Sequence, residues 1–364
     1  MAEIRAEVRA FLKEELAAGR FESRCDAWLS NHDPEFSHRL AERGWVGMTL
    51  PPEYGGHGRG YLERYAVLEE LLAVGAPVAA HWIADRQTGP LLLRYGTEEQ
   101  RRRFLPQIAR GECFFAIGMS EPDSGSDLAS VRTTATPVEG GWRVRGTKVW
   151  TSHAHRSHYM ITLVRTQPLG ERKHEGLSQL LIDLRGEGVT VSPIKLLSGE
   201  PHFSEVVFDD AFVPADMLVG TEGEGWKQVN SELAYERSGP ERFLSTFPLL
   251  AETVRELGGR PSPVVGELFA RLRALRALAM RIAARLQVGE EPLVEAALVK
   301  DMGTRFERDV VEAARLLVAP ESAGGTWRRL YHEGVTHSPG FTLRGGTSEI
   351  LRGIVARALV GQSR

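Results

Sequence analysis

Cysteine is almost missing from this chain: Cys25 and Cys113 are the only two in 364 residues. Cys113 opens an apolar run, so a disulfide framework is excluded as the basis of the fold. Long hydrophobic runs are missing as well, none approaching the ~20 residues that cross a bilayer. The N-terminal stretch is amphipathic, rich in Glu and Arg, and lacks the apolar core of a signal peptide. Together these absences predict a soluble, cytoplasmic protein with no membrane insertion. Neither sign of charge dominates. With 45 basic and 48 acidic residues the net charge is −3, which argues against nucleic acid and acidic membrane surfaces as partners. Arginine far outnumbers lysine but is scattered, and Arg101-Arg102-Arg103 reads as a solvated helix face. A metal centre lacks its ligands. His153, His155 and His158 do not face one way on a helix or a strand, and no Cys or acidic residue lies alongside.

What is present is a twofold change of period in a chain of 364 residues, long enough for two or three domains. The first third is helical. Ile4, Val8, Phe11, Leu12 and Leu16 recur at helix spacing. Further helices are predicted over residues 36–45, 61–74 and 97–109, with 79–95 largely apolar around Gly89-Pro90. Thr97 is the expected N-cap of the 97–109 helix, with acids in its first turn. From Cys113 the period becomes two. Strands are predicted over 113–119, 131–136, 142–144, 146–152, 159–164, 177–183, 189–193 and 205–208, with turn residues between them. From Gly223 the chain is helical again, with helices predicted over 226–235, 243–257, 264–286, 293–318 and 349–360. The expected fold is α+β and multidomain: an N-terminal helical domain (1–112), a middle β domain (113–222) and a C-terminal helical domain (223–364).

Three constellations carry chemistry. After the apolar run from Cys113 to Met119 the chain breaks into Ser120-Glu121-Pro122-Asp123-Ser124-Gly125-Ser126-Asp127. Small residues there let a polar or anionic ligand approach the backbone. Trp150, Thr151 and Ser152 end a strand nearby. An ordinary hairpin with a decorated turn and a wall for a planar, polar-edged cofactor are both open readings. In the second constellation Glu232 and Glu236 lie four apart, with Arg237, Glu241 and Arg242 close by. A solvated helix stripe explains such charges. Yet Leu233, Ala234 and Tyr235 are apolar and Ser238-Gly239-Pro240 loosens the chain beyond them, so a carboxylate at the edge of an apolar cleft could act as a base. The third is Gly345-Gly346-Thr347-Ser348-Glu349, a glycine turn into a helix N-terminus. It suits either plain capping or an anion.

These pieces together resemble the acyl-CoA dehydrogenase family, flavoenzymes that desaturate acyl-CoA thioesters. The likeness runs over nearly the whole chain in the family's order. Tyr54-Gly55-Gly56, Leu93-Arg94-Tyr95-Gly96-Thr97-Glu98-Glu99-Gln100 and Phe104-Leu105-Pro106 match its N-terminal domain. Met119 to Asp127 is similar to its T-E-P-x-x-G-S-D loop. Gly146-Thr147-Lys148-Val149-Trp150-Thr151-Ser152 is similar to its G-x-K-x-W-I-T strand. Gly345-Gly346-Thr347-Ser348-Glu349-Ile350 matches its E-G-T-S-E-I turn except at the first position.

The resemblance implies a barrel- or sandwich-like middle domain and a C-terminal four-helix bundle that carries the catalytic base and the oligomer interface. It implies FAD as cofactor. Met119, Ser120, Gly125, Ser126, Trp150, Thr151 and Ser152 would hold the flavin ring, and Thr347 and Glu349 its ribityl and phosphate portion. Ser126, Arg237, Gly345, Gly346 and Arg357 would face the acyl-CoA substrate, with a backbone N–H near Gly345 or Gly346 on the thioester oxygen. A carboxylate removes the α-proton while a hydride passes from the β-carbon to flavin N5. Most members place that carboxylate immediately before G-T-S-E, where this chain has Gly345. A minority, including isovaleryl- and long-chain acyl-CoA dehydrogenases, supply it from the first helix of the C-terminal domain. That position falls on Glu236, with Glu232 and Glu241 as fallbacks.

A second departure concerns assembly. The family's R-x-x-F-G and Q-x-x-G-G segments reach a neighbour's FAD across a dimer. Neither pattern survives in Gly258-Gly259-Arg260-Pro261-Ser262-Pro263 or in Ala314-Arg315-Leu316-Leu317-Val318-Ala319-Pro320. A heterotetramer with a related, non-identical acyl-CoA dehydrogenase subunit is one expectation. A homo-oligomer using Arg260 or Arg315 is the other. The leading function is α,β-desaturation of an acyl-CoA with an electron-transfer flavoprotein as acceptor, in lipid or steroid side-chain catabolism. A non-catalytic or half-site subunit, and a flavin-dependent oxidase or monooxygenase on the same fold, are the alternatives.

Overall fold

The structure, a computed structural model, describes residues 1–237 and 239–361, with the side chains of 233–236 outside the description. Its first helices are α1 (Ala2–Ala17), α2 (Ala27–Ser30), α3 (Pro34–Glu42), α4 (Tyr61–Ala73), α5 (Ala79–Ile83), α6 (Gly89–Tyr95) and α7 (Glu98–Ala109). The strands are β1 (Phe115–Gly118), β2 (Thr134–Val138), β3 (Gly141–Ser152), β4 (Tyr159–Arg165), β5 (Leu177–Asp183), β6 (Val189–Ile194), β7 (Phe203–Pro214) and β8 (Leu218–Val219). Helices α8 (Gly225–Arg237), α9 (Phe247–Glu256), α10 (Pro263–Gln287), α11 (Leu293–Leu317), α12 (Gly325–Phe341) and α13 (Ser348–Gly361) follow. The helix–sheet–helix order is the one the changes of period predict. Among the described residues no helix is long and apolar enough to cross a membrane. The chain divides into two compact units, residues 33–58 with 80–233, and residues 1–32 with 59–79 and 234–364.

The first of these units is built on one sheet, in the order β6-β7-β3-β2-β4-β5-β8, with β1 parallel to β4. Alternation sets its faces: along β7, Ser204, Val206, Phe208, Ala211 and Val213 are buried while their neighbours face outward. Residues 142–144 and 146–152, expected as separate strands, are one twelve-residue strand, β3. The break between them is a bulge in its pairing with β7. Gly146 sits there with φ 144°, and a Cβ on it would lie 2.5 Å from the Thr133 hydroxyl. Helix α7 starts at a capping box, with Gln100 N–H on the Thr97 hydroxyl and Thr97 N–H on the Gln100 amide oxygen. The Gln100 amide nitrogen donates onward to Asp216 O and Leu218 O (2.6 and 2.8 Å), binding α7 to the chain around β8. The apolar face of α7 (Phe104, Leu105, Ile108) joins Phe115, Met160 and Leu181 in one core.

In the second unit, α1 lays Ile4, Val8, Phe11 and Leu12 inward. Arg5 and Arg9 on its flank meet Glu69 and Glu70 of α4, and Arg276 of α10 reaches the same Glu69 (2.6 Å). Helix α11 runs through the interior, burying Val299, Lys300, Phe306, Glu307, Val310 and Ala314. Its Gly303 faces the Arg242 carbonyl so closely that a Cβ would stand 2.1 Å from it. Two expectations shift. The helix predicted over 243–257 begins at Phe247, because Pro240–Arg242 forms a separate 3-10 turn. Helix α12 has no counterpart among the helices expected after Gly223: it keeps Gly334, Pro339 and Gly340 within its span, and deeply buried Trp327, Leu330 and Phe341 hold it.

Candidate active site

In the sheet unit, β1 delivers the chain to Gly118, and Met119 and Ser120 follow, half-buried. Glu121 and Ser124 then pair backbone to backbone (2.8 and 3.1 Å), closing a small turn. The Glu121 carboxylate folds back to accept Arg132 N–H (2.6 Å), Thr133 N–H (2.9 Å) and Lys148 Nζ (2.8 Å). Lys148 has no exposed surface and also donates to Met119 O (3.0 Å), while Val149 N–H donates to Ser120 O (2.9 Å). Burial pushes the Lys148 ammonium down to about 8 even with Glu121 beside it. Burial opposes the Glu121 charge, but Lys148 and the backbone donors still hold its carboxyl below the ordinary range. The root of the loop is therefore fixed by a buried ion pair, and its tip, Gly125 and Ser126, is exposed with open space around Gly125.

Facing outward from β3 is Trp150. It is 56 % exposed, has φ 62°, and stands at the second bulge of the strand with its ring edge-on to Phe203. Left-handed backbone at a bulky residue costs on the order of 1–3 kcal/mol, and such strain gathers at functional sites. Thr151 turns the other way, fully buried, its hydroxyl donating to Ser204 O (2.7 Å). Ser152 is half-buried. The three histidines have separate tasks. His153 N–H donates to His202 O, His155 Nδ1 meets the Ser204 hydroxyl, and His158 Nδ1 accepts Phe114 N–H. Burial holds both His155 and His158 below the ordinary histidine range. No group of His, Cys, Asp and Glu among the described residues is arranged to take a metal. In the same unit Glu232 is buried and its carboxylate accepts the Gln179 amide (2.9 Å).

In the helical unit the chain between α12 and α13 turns through two left-handed glycines, Gly345 (φ 65°) and Gly346 (φ 90°). Buried Lys300 donates to Gly346 O (2.8 Å) and Phe341 O (3.1 Å). The Arg237 guanidinium, buried at the end of α8, stands 3.2 Å from where a Gly346 Cβ would be. Among the described residues the N–H groups of Gly345 and Gly346 donate to no protein acceptor. Thr347 caps α13 by accepting Ile350 N–H (3.4 Å). Glu349 is exposed, and its own backbone N–H and the Thr347 hydroxyl hold its carboxyl below the usual range. Arg357 is exposed farther along α13. Glu241 is buried against Arg242 (3.3 Å). Glu236 belongs to the last turn of α8, and its side chain lies outside the described residues.

Models of the acyl-CoA dehydrogenase N-terminal, middle and C-terminal domains match residues 1–112, 116–211 and 264–360. Acyl-CoA dehydrogenase IpdE1 of Mycobacterium tuberculosis is 34% identical over 388 residues, spanning 100% of this chain and 98% of its own. The chain belongs to the acyl-CoA dehydrogenase family. Among solved structures, the Tcur3481–Tcur3483 steroid ACAD is 29% identical with a TM-score of 0.85, covering 99% of this chain and 97% of that one. The ChsE4–ChsE5 complex of M. tuberculosis is 27% identical with a TM-score of 0.81, covering 99% and 97%.

As a member of this family the protein is an FAD-dependent oxidoreductase acting on acyl-CoA. The residues present suit a flavin. An outward indole offers a flat apolar face, and the hydroxyls and exposed amides of Ser120, Gly125 and Ser126 offer partners for polar ring edges. Three residues that support the site were given no role from the sequence: Glu121, Lys148 and Lys300. For Lys148 a signal exists, since a lysine at an inward position of an alternating strand needs a buried partner. Lys300 sits among ordinary helix residues and carries no such mark.

Proposed function

We propose that this acyl-CoA dehydrogenase desaturates the α,β bond of an acyl-CoA thioester with Glu236 as the base. The observation that carries this reading is the packing of Arg237 on Gly346. It brings the last turn of α8 beside the turn that bears the base in most family members, and Gly345 leaves that place without a carboxylate. A base one residue before Arg237 meets the need. The fallbacks are already engaged: Glu232 by Gln179 and Glu241 by Arg242.

Met119, Ser120, Gly125, Ser126 and Trp150 to Ser152 would hold the flavin ring, and Thr347 and Glu349 the ribityl and phosphate portion. Bound FAD supplies the acceptor for the β-hydride. The N–H groups of Gly345 and Gly346 polarise the thioester oxygen, which acidifies the α-carbon, and Glu236 takes the proton in a site closed to water. Ser126, Arg237 and Arg357 contact the substrate. An electron-transfer flavoprotein is the proposed electron acceptor. The likeness to a steroid ACAD and to two assemblies with paired subunit names supports a bulky, steroid-type acyl group and a related second subunit.

Anaerobic titration with an acyl-CoA panel while following flavin absorbance tests the base. Glu236→Gln should slow bleaching about 100- to 10,000-fold, the range expected for a general base, with acyl-CoA still bound. Full bleaching at the wild-type rate would remove Glu236 from the role.

A further inference from the structure

The Gly345–Gly346 turn is gripped from its upstream side by an ion pair that the proposed chemistry leaves unused. Arg344 immediately precedes the turn. Its two terminal nitrogens meet the two oxygens of the Asp26 carboxylate at 2.6 and 2.5 Å, a fork that fixes the guanidinium plane. The same group lies over the rings of Trp28 (4.5 Å) and Phe341 (5.0 Å). Asp26 is itself a fixed anchor, buried and in left-handed backbone (φ 57°). Its N–H donates to Ser245 O (2.7 Å), and its own carbonyl accepts Leu29 N–H and Ser30 N–H (2.9 and 2.8 Å). Ser245 N–H in turn donates to the buried Glu307 carboxylate (2.8 Å), and the Trp28 indole N–H to the Ser245 hydroxyl (3.2 Å).

Two adjoining glycines have the widest choice of backbone angles of any dipeptide, so the directions of their N–H groups are set from outside. Lys300 and Arg237 hold Gly346. Among the described residues nothing comparable holds Gly345 except the residue before it. A buried ion pair is weak evidence for stability, since apolar replacements often do as well, and fixing one arrangement among several is the better-attested use. We propose that Arg344, locked to Asp26, is a positioning residue that aims the Gly345 and Gly346 N–H groups at the thioester oxygen. This role rests on the proposed binding of that oxygen by the glycine turn.

The test uses the flavin-loaded protein in its native assembly. Its probes are trans-2-octenoyl-CoA and 1-cyclohexenecarbonyl-CoA, each 13C-labelled at the thioester carbonyl. In the wild-type protein the labelled carbonyl band of the bound ligand should fall below its free-solution frequency. In Arg344→Lys, which keeps the charge and loses the fork, the band should move back toward the free value. With the acyl-CoA that bleaches wild type, kcat should fall about tenfold or more and KM change less than about threefold. Asp26→Asn carries the same readings should Arg344→Lys fail to fold. A folded variant that keeps the wild-type band position, even with a lower Tm, makes the pair merely structural and overturns the proposal. A wild-type protein that binds either ligand without lowering its carbonyl band refutes the oxygen-binding turn itself, and the positioning role falls with it.

Discussion

Trp150 is held in a conformation that a large side chain resists, and most of its indole faces solvent. Its packing on Phe203 is a single edge contact, too little to offset strain on the order of 1–3 kcal/mol. The strain makes sense when the indole has a ligand to cover. Trp150→Gly therefore separates the two uses. Without flavin, the stability of the variant should stay within about 1 kcal/mol of wild type, because glycine accepts the left-handed angle freely. In the flavin-loaded assembly FAD should bind about tenfold more weakly, the worth of one stacked aromatic face. Urea unfolding of the apoprotein and fluorescence of released FAD measure the two quantities. A large loss of apoprotein stability would mean that the indole serves the fold.

At the scale of elements, α11 carries a carboxylic acid into the interior. Burial pushes Glu307 up to about 7, although Ser245 N–H and the nearby Arg344 favour its charge. Between its unfolded value of 4.5 and about 7 the folded chain holds a proton that the unfolded chain has released. Stability from this group is thus full at low pH and is lost as pH rises through that window. Glu307→Gln keeps an oxygen for Ser245 N–H and removes the titration. Its stability relative to wild type should improve from pH 5 to pH 8 by up to about 3 kcal/mol, at 1.36 kcal/mol per unit. Parallel denaturation curves for the two proteins at both pH values would show that Glu307 keeps an ordinary carboxyl. The same elements show what a sequence carries legibly. Period alone separates the helices from the sheet, and motif spacing marks the loop at 119–127 and the turn at 345–349. The joined strand β3 was not legible, because Gly146 marks a bulge and a break alike. Helix α12 was not legible either, because tertiary burial of Trp327 overrides Gly334 and Pro339. The braces of both candidate sites were hidden for a further reason. Glu121 finds Lys148 across 27 positions and Asp26 finds Arg344 across 318, and no local pattern encodes such a pairing.

For the whole molecule the open matter is how a flavin is completed. The two segments that depart from the family's cross-dimer pattern lie at the α9–α10 connection and the end of α11. Their arginines were the means by which a homo-oligomer could compensate. Arg260 folds back on Leu257 O (3.0 Å), and Arg315 is engaged by Glu312 one helical turn away. Neither arrangement reserves a cation for a neighbour's phosphates. Helix α13, in contrast, leaves apolar surface uncovered: only Ser348 and Leu351 of its residues are buried, and Leu359 and Val360 are each more than 60% exposed at 62% and 63%. A subunit of related fold that covers such surface and supplies the missing groups accounts for both facts. Expressed alone, the chain should then purify with FAD well below one per chain, and added FAD should leave its Tm unchanged. Co-expressed with a related subunit of that kind it should retain the cofactor, and Tm should rise with FAD concentration, as linkage requires of a ligand bound only by the folded assembly. Flavin absorbance per chain and a thermal scan of each preparation read these outcomes. A chain that holds one FAD by itself would return the homo-oligomer to first place.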